Sequence, residues 1–350
     1  MRIFYYYHAA MNIPSGSARH IIEVMEELQK RGHDISLFAL DRGRYQFETL
    51  FKIVYMPSLN IKPRIIGYYL ECVLVVLYMI YCGLKAKPDI LYVRTPFYAF
   101  HPIFIAWLLR CHHIAEIMEL QLEDLKWAGA SRLRLALTRL CETLNYRFAD
   151  RIIAITDEVR TMLSRVYRIP LNKIIHIEAG ANPEKCRPIE TRKARVEMGL
   201  PVDDLYVGFI GSFYLWSGIG DLISIAPTIL REVPQSRFII IGSGELDKEF
   251  RDKVDLLGVK DRFVFTGQIT FDKIPLYINA FDIGVAPYIL GGDISRKTSA
   301  SSIKVFEYMS CAKPVVTTDI KGTGDIVRES ECGIVVPLYQ PDKLAAAIIR

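Results

Sequence analysis

Residues 281–318 read FDIGVAPYILGGDISRKTSASSIKVFEYMSCAKPVVTT, and this run decides the fold. The apolar Ile283 to Ala286 reads as a buried strand, a Gly/Ser/Lys loop follows, and the loop opens a short helix carrying Glu307. Lys313-Pro314 then leads into a second buried strand. Ser301, Ser302 and Ile303 would present free backbone N–H groups at the helix start, where the positive end of the dipole favours phosphate. Lys304 adds a full positive charge beside them. Glu307, one turn further in, can accept two hydrogen bonds from a vicinal diol such as a ribose. A polar loop before a surface helix, with Glu307 merely complementing the dipole, fits the same residues equally well.

With 350 residues the chain has room for two domains, each with its own core, and 51% hydrophobic residues exclude a disordered chain. The net charge of +5 is partly concentrated: Lys126, Arg132, Arg134, Arg139, Arg147 and Arg151 stand against Glu142 and Asp150. No reader motif or alternating basic and aromatic run accompanies that charge, so nucleic acid is not an expected partner. An anionic membrane surface suits it better. Seven cysteines are scattered without a C-x-x-C pair and read as buried thiols in a reducing cytosol. His112 and His113 have no partner at metal-ligand spacing, so no metal is expected. Met1 to Ala10 is a Tyr-rich strand without the apolar core of a signal peptide. The expected location is cytoplasmic, peripheral at the inner face of the plasma membrane.

Taken in order, the chain opens on a strand (Arg2 to His8), a glycine loop at Gly16, an amphipathic run (Ile21 to Arg31) and a second strand (His33 to Leu40). That order begins a doubly wound α/β domain. Gly16 permits close ligand approach, and a plain turn glycine fits as well. Ile65 to Leu84 is long enough to span a bilayer. Glu71 inside it and the buried strand Ile90 to Val93 after it favour a helix packed on the sheet, since a charge near mid-span costs roughly 2.5–3.5 kcal/mol. A strand over Ile114 to Met118 brings Glu116 and Glu119 near a carboxyl end, where catalytic groups of open α/β sheets lie.

Over Ser131 to Phe148, Leu133, Ala136, Leu137, Leu140 and Leu144 recur at helical spacing. Such a helix docks its apolar face on the domain and offers Arg132 and Arg139 to anionic headgroups; a solvated face with incidental arginines is the alternative. The polar stretch Glu184 to Val202 reads as an interdomain linker. Beyond it, Leu205 to Ile210 is a strand ending in Gly211-Ser212, and RFIIIGSG (237–244) and FVFTGQ (263–268) are further strands ending in glycine.

The run SSIKVFEYMSCAKPVV resembles the donor-site signature of family 4 glycosyltransferases of group 1 type, retaining enzymes of the GT-B fold. The resemblance covers essentially the whole chain. It implies an α/β architecture of two doubly wound Rossmann-like domains facing across a cleft, residues 1–188 on the acceptor side and 189–350 binding the nucleotide sugar. By that resemblance Glu307 holds the donor ribose, and Lys304 is the second candidate catalytic group. Gly16, Gly211, Ser212, Gly267, Gln268, Ile269, Ser301, Ser302 and Ile303 are donor-binding candidates, and Ser17, His20 and Glu119 lie on the acceptor side. The chain departs from the family pattern in several places. Ser299 replaces the first Glu of the E-x7-E pair, and one glycine of the Gly16 loop is missing. Ser212 and Ser217 stand where an Arg and a Lys neutralise the donor diphosphate, and Arg94 replaces a histidine. Lys304, or else Arg296 or Lys297, is the cation expected to compensate. By the resemblance a helix crossing back onto the first domain is expected after Arg350, and the sequence reads as ending short of it.

The implied reaction moves a sugar from a nucleoside diphosphate donor to a saccharide acceptor with retention of configuration. No D-x-D motif appears, which agrees with metal-independent chemistry. No cofactor is implied beyond the nucleotide sugar itself, of UDP or GDP type. The basic helix suggests a lipid-linked acceptor or a cell-surface polysaccharide. Two alternatives stay open, a non-catalytic GT-B scaffold subunit and a nucleotide-sugar epimerase of the same fold.

Overall fold

Ile3, Phe4, Tyr5 and Tyr6 are all buried, because their strand lies inside a parallel sheet and is covered on both faces. The computed structural model describes residues 1–11, 15–42, 47–59, 61–62, 64–94, 100–118, 120–127, 129–289, 299–300 and 302–350. They divide into two units, Met1–Ile13 with Ser17–Glu178, and Pro14–Gly16 with Ala179–Arg350.

The first unit runs β1 (Arg2–Ala10), α1 (Gly16–Lys30), β2 (Asp34–Asp41), β3 (Lys52–Pro57), α2 (Arg64–Ala86) and β4 (Ile90–Arg94). It continues with α3 (His101–Leu109), β5 (His112–Ile117), α4 (Gln121–Trp127), α5 (Arg132–Phe148), β6 (Arg151–Ala154), α6 (Asp157–Tyr167) and β7 (Ile174–His176). Its parallel sheet has the order β3-β2-β1-β4-β5-β6-β7.

The second unit runs α7 (Thr191–Glu197), β8 (Leu205–Ile210), α8 (Ile219–Glu232), β9 (Ser236–Ile241), α9 (Asp247–Leu256), β10 (Phe263–Gly267), α10 (Ile274–Ala280) and β11 (Ile283–Ala286). Then come β12 (Ser299–Ala300), α11 (Ile303–Ser310), β13 (Val315–Thr318), β14 (Lys321–Gly322), α12 (Thr323–Glu329), β15 (Gly333–Val336) and α13 (Pro341–Ile349). The main sheet has the order β10-β9-β8-β11-β13-β15, with β12 and β14 as a separate small pair. In each unit the strand order reverses once, between β1 and β4 and between β8 and β11. Connections leave such a point in opposite directions and open a crevice at the carboxyl ends of the strands.

The segment expected to be a linker belongs to the second unit's packing. Arg195 of α7, 5% exposed, donates to the carbonyls of Ala280 (3.0 Å), Val202 (2.9 Å) and Asp204 (2.9 Å) and pairs with Asp282. Cys186 is fully buried in the same core. One arginine thus ties a polar stretch down, which its composition alone does not announce.

α5 turns Thr138, Cys141, Glu142 and Asn145 inward and leaves Leu133, Leu137 and Leu140 exposed, the reverse of the docking expected from its leucine stripe. Glu142 accounts for the reversal. Its buried carboxylate accepts the Gln121 N–H at 2.9 Å and the hydroxyls of Tyr146 (3.1 Å) and Tyr167. Burial pushes this carboxyl up even though those bonds pull it down. Turning the leucines inward would strand all of these donors.

α2 packs Cys72, Val75 and Met79 inward, as a helix on the sheet should. Glu71 is also buried, held by the Ser58 hydroxyl (2.9 Å), the Leu59 N–H (2.6 Å) and Arg42 (2.8 Å). The opposite face of α2 remains apolar and exposed.

Three histidines of this unit, His113 buried and His8 and His101 half-buried, are kept as neutral rings, with desolvation the largest cause in each case. His8 and His113 are pushed down to about 4 and His101 to about 3, from an ordinary 6.5. Below pH 6.5 the unfolded chain therefore binds protons that the folded chain refuses, so stability rises with pH from about 4 to 6.5 and levels off above. Each ring contributes up to ~1.4 kcal/mol per pH unit in that window. Denaturant melts at pH 7, 6 and 5 should show a steady loss of stability, and His113→Phe should lower the slope by about one third. Melts that coincide across this range would contradict the neutral burial.

Candidate functional site

Ser302 caps α11 from extended backbone (φ −92°, ψ 100°), yet its hydroxyl is not bonded to the helix: it meets the Tyr288 hydroxyl at 2.7 Å. The Ser302 side chain thus leaves the first-turn N–H groups, the positive end of the helix, uncapped. Ile303 is the first helical residue, as the sequence suggests; Ser301 lies outside the described residues. Lys304 follows, its Nζ 4.1 Å from the centre of the Phe209 ring and 4.9 Å from that of Tyr288. A Cβ on Gly211 (φ +154°) would stand 2.8 Å from that Nζ, so the bare glycine is what lets the lysine reach the end of β8. Glu307, one turn on, is 2% exposed.

Tyr308 holds this helix in place. Its hydroxyl accepts the Ile210 N–H at 3.0 Å, and its ring occupies the space left by Gly284, where a Cβ would be 2.4 Å away. Thr317 and Thr318 of β13 donate to the carbonyls of Ala286 (2.8 Å) and Tyr288 (2.6 Å), fixing the segment that carries the Ser302 partner. Burial pushes the Tyr288 phenol up to about 12, so it stays a neutral hydroxyl. Tyr288, Tyr308 and Phe209 were not singled out from the sequence. The tyrosine following Glu307 in the signature was the signal for Tyr308.

The two serines of the Gly211 loop have different fates. Ser212 is exposed at the sheet edge, whereas Ser217 is 1% exposed and donates to the Tyr214 carbonyl at 2.6 Å. Ser217 is thus a turn residue, followed by Gly218 (φ +73°), where a Cβ would lie 1.6 Å from the Pro287 carbonyl oxygen. Among the cations expected to compensate, Lys304 reaches the Gly211 turn; Arg296 and Lys297 lie outside the described residues. Gly267 ends β10, but its carbonyl already accepts the Gly242 N–H (2.9 Å) and the Thr266 hydroxyl (2.9 Å), which fills both lone pairs. Gln268 is exposed beyond it and Ile269 packs on the core.

Gly16 opens α1, and in the first unit Ser17 and His20 follow on its first turn. His20 Nε2 lies 2.6 Å from Glu116 Oε1, and the Tyr5 hydroxyl donates to Glu116 Oε2 at 2.7 Å. Arg94 donates to the Ser17 hydroxyl at 3.1 Å, and its Nη1 has no hydrogen-bond partner among the described residues. Burial raises the Glu116 carboxyl, but the bond and charge of His20, the Arg94 charge and the Tyr5 bond outweigh it and hold it below the usual range. The acid placed under His20 is therefore Glu116; Glu119 lies outside the described residues. Both carboxylates sit near one strand end in sequence, and pairing alone distinguishes them. Among the described residues no group of three or more His, Cys, Asp or Glu is placed to hold a metal ion.

Lys304→Ala should weaken a nucleoside diphosphate by roughly ten- to hundredfold, the worth of a charge-assisted bond of ~1.5–3 kcal/mol, and leave a nucleoside nearly unaffected. Gly211→Ala, which pushes Nζ away with the lysine intact, should act in the same direction. Calorimetric titration of both variants checks this. Equal losses for nucleoside and diphosphate would take Lys304 off the phosphate side.

Residues 14–185 match the family described as Glycosyltransferase Family 4, and residues 204–350 match that described as Glycosyl transferases group 1. An alpha-D-kanosaminyltransferase of Streptomyces kanamyceticus is 25% identical over 209 residues, covering 58% of this chain and 51% of that protein. The chain spans about half the length of the curated relatives it matches. Among solved structures, sucrose-phosphate synthase from Thermosynechococcus elongatus superposes with a TM-score of 0.78 at 18% identity, over 99% of this chain and 88% of that one. Anabaena Alr3699/HepE in complex with UDP and glucose gives 0.76 at 19% identity, over 100% and 89%. At such identities the structural likeness speaks for the fold, two parallel-sheet α/β domains of GT-B type. With both halves matched, the chain belongs to the group 1, family 4 glycosyltransferases.

Proposed function

We propose that this chain transfers a sugar, with retention of configuration, from a nucleoside diphosphate sugar of UDP or GDP type to a saccharide acceptor. The observation that carries the proposal is the Lys304 ammonium at the Gly211 turn, at the start of α11 that the Ser302 side chain does not cap, and one turn before the buried Glu307. A leaving diphosphate gains negative charge as the glycosidic bond breaks. Fixed N–H dipoles and a lysine wedged between two rings stabilise that charge without reorganising. Glu307 is the acceptor group for a ribose diol. The Anabaena protein holding UDP and glucose supports a donor of this class. On the acceptor side stand Ser17 and His20, the latter kept in place by Glu116. The acceptor is read as lipid-linked or a cell-surface polysaccharide, and the enzyme as cytoplasmic, peripheral at the inner face of the plasma membrane.

A scaffold subunit without catalysis is favoured by one observation, the buried Ser217 at a position the family fills with a charge. Nucleotide binding separates the two readings. Titration with UDP, GDP, ADP and CDP should give one preferred diphosphate, and Glu307→Gln should weaken it by roughly ten- to hundredfold, the worth of hydrogen bonds to a charged group. Incubation with the matching nucleotide sugar should then release that diphosphate. Failure of all four nucleotides to bind would favour the scaffold; release of an isomeric nucleotide sugar with no acceptor would favour an epimerase.

A further inference from the structure

The outward faces of α2, α3 and α5 share one composition. Along α2, Tyr69, Leu70, Val73, Leu77, Tyr81 and Leu84 are exposed at helical spacing. Ile66–Ala86 has the length and apolarity of a membrane span, with 33% of its most apolar window buried. α3 packs closely on it, since a Cβ on Gly83 would meet Leu109 Cδ1 at 2.3 Å, and leaves Phe104 and Trp107 exposed, Trp107 by 71%. Trp107 and Leu108 line a cavity with Phe148, the last residue of α5. α5 then continues the surface with Leu133, Leu137 and Leu140, which its buried Glu142 forces outward. An apolar area spread over three neighbouring helices is unusual for a surface bounded by water alone.

Charge borders this area on one side. Helical spacing puts Arg132, Arg139 and Arg147 on one flank of the α5 leucines. Arg139, Arg147, Arg168 and Lys173 line a second cavity, of about 620 Å³, between α5 and the segment that follows α6. None of these three arginines forms an ion pair among the described residues. Lys173 donates to the Arg147 carbonyl at 2.7 Å, and burial together with the Arg151 and Arg147 charges pulls its ammonium down although Asp150 supports it. Four cations line this hollow together with Val166, Ile169 and Pro170.

We propose that the α2, α3 and α5 face lies on an anionic bilayer, with a headgroup phosphate in the Arg139, Arg147, Arg168 and Lys173 cavity. The leucines and Trp107 enter the level between headgroups and acyl chains, where aromatic and amphipathic side chains concentrate, and the arginines meet the surface charge. The apolar area calls for lipid, and the cations choose anionic lipid. This deepens the proposed lipid-borne acceptor and rests on that reading for its purpose; the binding itself depends on no residue of the donor site.

The full chain should sediment with vesicles of phosphatidylcholine containing about one third phosphatidylglycerol, not with phosphatidylcholine alone, and the binding should fall as salt rises. Arg139→Gln and Arg147→Gln should each weaken it about fivefold. Leu133→Ser with Leu137→Ser should abolish it, and Trp107 emission should shift to the blue on anionic vesicles only. Inorganic phosphate at millimolar concentration should not displace the protein. Its doing so would assign the cavity to a free phosphate and overturn the proposal. So would equal binding to neutral vesicles, or a dimer in sedimentation velocity that the leucine variants dissolve while wild type ignores vesicles. Nucleotide titration of the same variants should be unchanged, which shows them folded and keeps a failure here separate from a failure of the donor site.

Discussion

The hydrogen bond from the Ile210 N–H to the Tyr308 hydroxyl, made where Gly284 leaves no side chain in the way, sets the pose of α11 against its sheet. Lys304 and Glu307 sit on that helix one turn apart, so their positions are not independent. If Tyr308 moved, the ammonium beside Gly211 and the buried carboxylate would move together. Satisfying a strand-end amide with a side chain, which a mid-strand amide would not need, is what turns a fold contact into a site constraint.

The two units reach similar crevices by different chemistry. At the carboxyl edge of the second sheet, glycines bring backbone close and aromatic rings hold a lysine, an arrangement suited to a ligand that brings its own negative charge. At the corresponding edge of the first sheet, His20, Glu116 and Tyr5 form a hydrogen-bonded set with Arg94 close enough to depress the Glu116 carboxyl. That set carries a charge of its own and orients a ring. Such an edge suits a hydroxyl-bearing partner more than a second diphosphate.

Strands buried on both faces were legible in the sequence. The bounds of β8 and β11, Leu205–Ile210 and Ile283–Ala286, agree with their apolar runs, because central parallel strands leave no polar face to blur the signal. α13 likewise begins at Pro341, a residue that opens a helix without a missed amide bond. Orientation was not legible. The leucines of α5 form a regular stripe, but whether a stripe faces in or out depends on Glu142 finding Gln121, Tyr146 and Tyr167, partners 4 to 25 residues away. The same limit governs Arg195, which converts an apparent linker into packed structure through carbonyls up to 85 positions distant. In the candidate site, local motifs placed Ser302, Ile303, Lys304 and Glu307 on one helix start. The ring and glycine that receive the lysine come from another strand, and no spacing rule connects them.

The topology also bears on how the chain is made. β1 is flanked by β2 and by β4, and the Arg2 N–H reaches the Asp89 side chain across 87 positions. During synthesis the first strand has only one neighbour until residue 94 has emerged, and its run of buried aromatic side chains waits at an open sheet edge, the kind of surface that pairs with other chains. The second unit repeats the delay, because β8 must wait for β11. Pairings this distant in sequence fold slowly compared with helical bundles of the same size. Cells making this chain quickly therefore hold it, for a time, as an unfinished sheet whose stickiest strand was produced first.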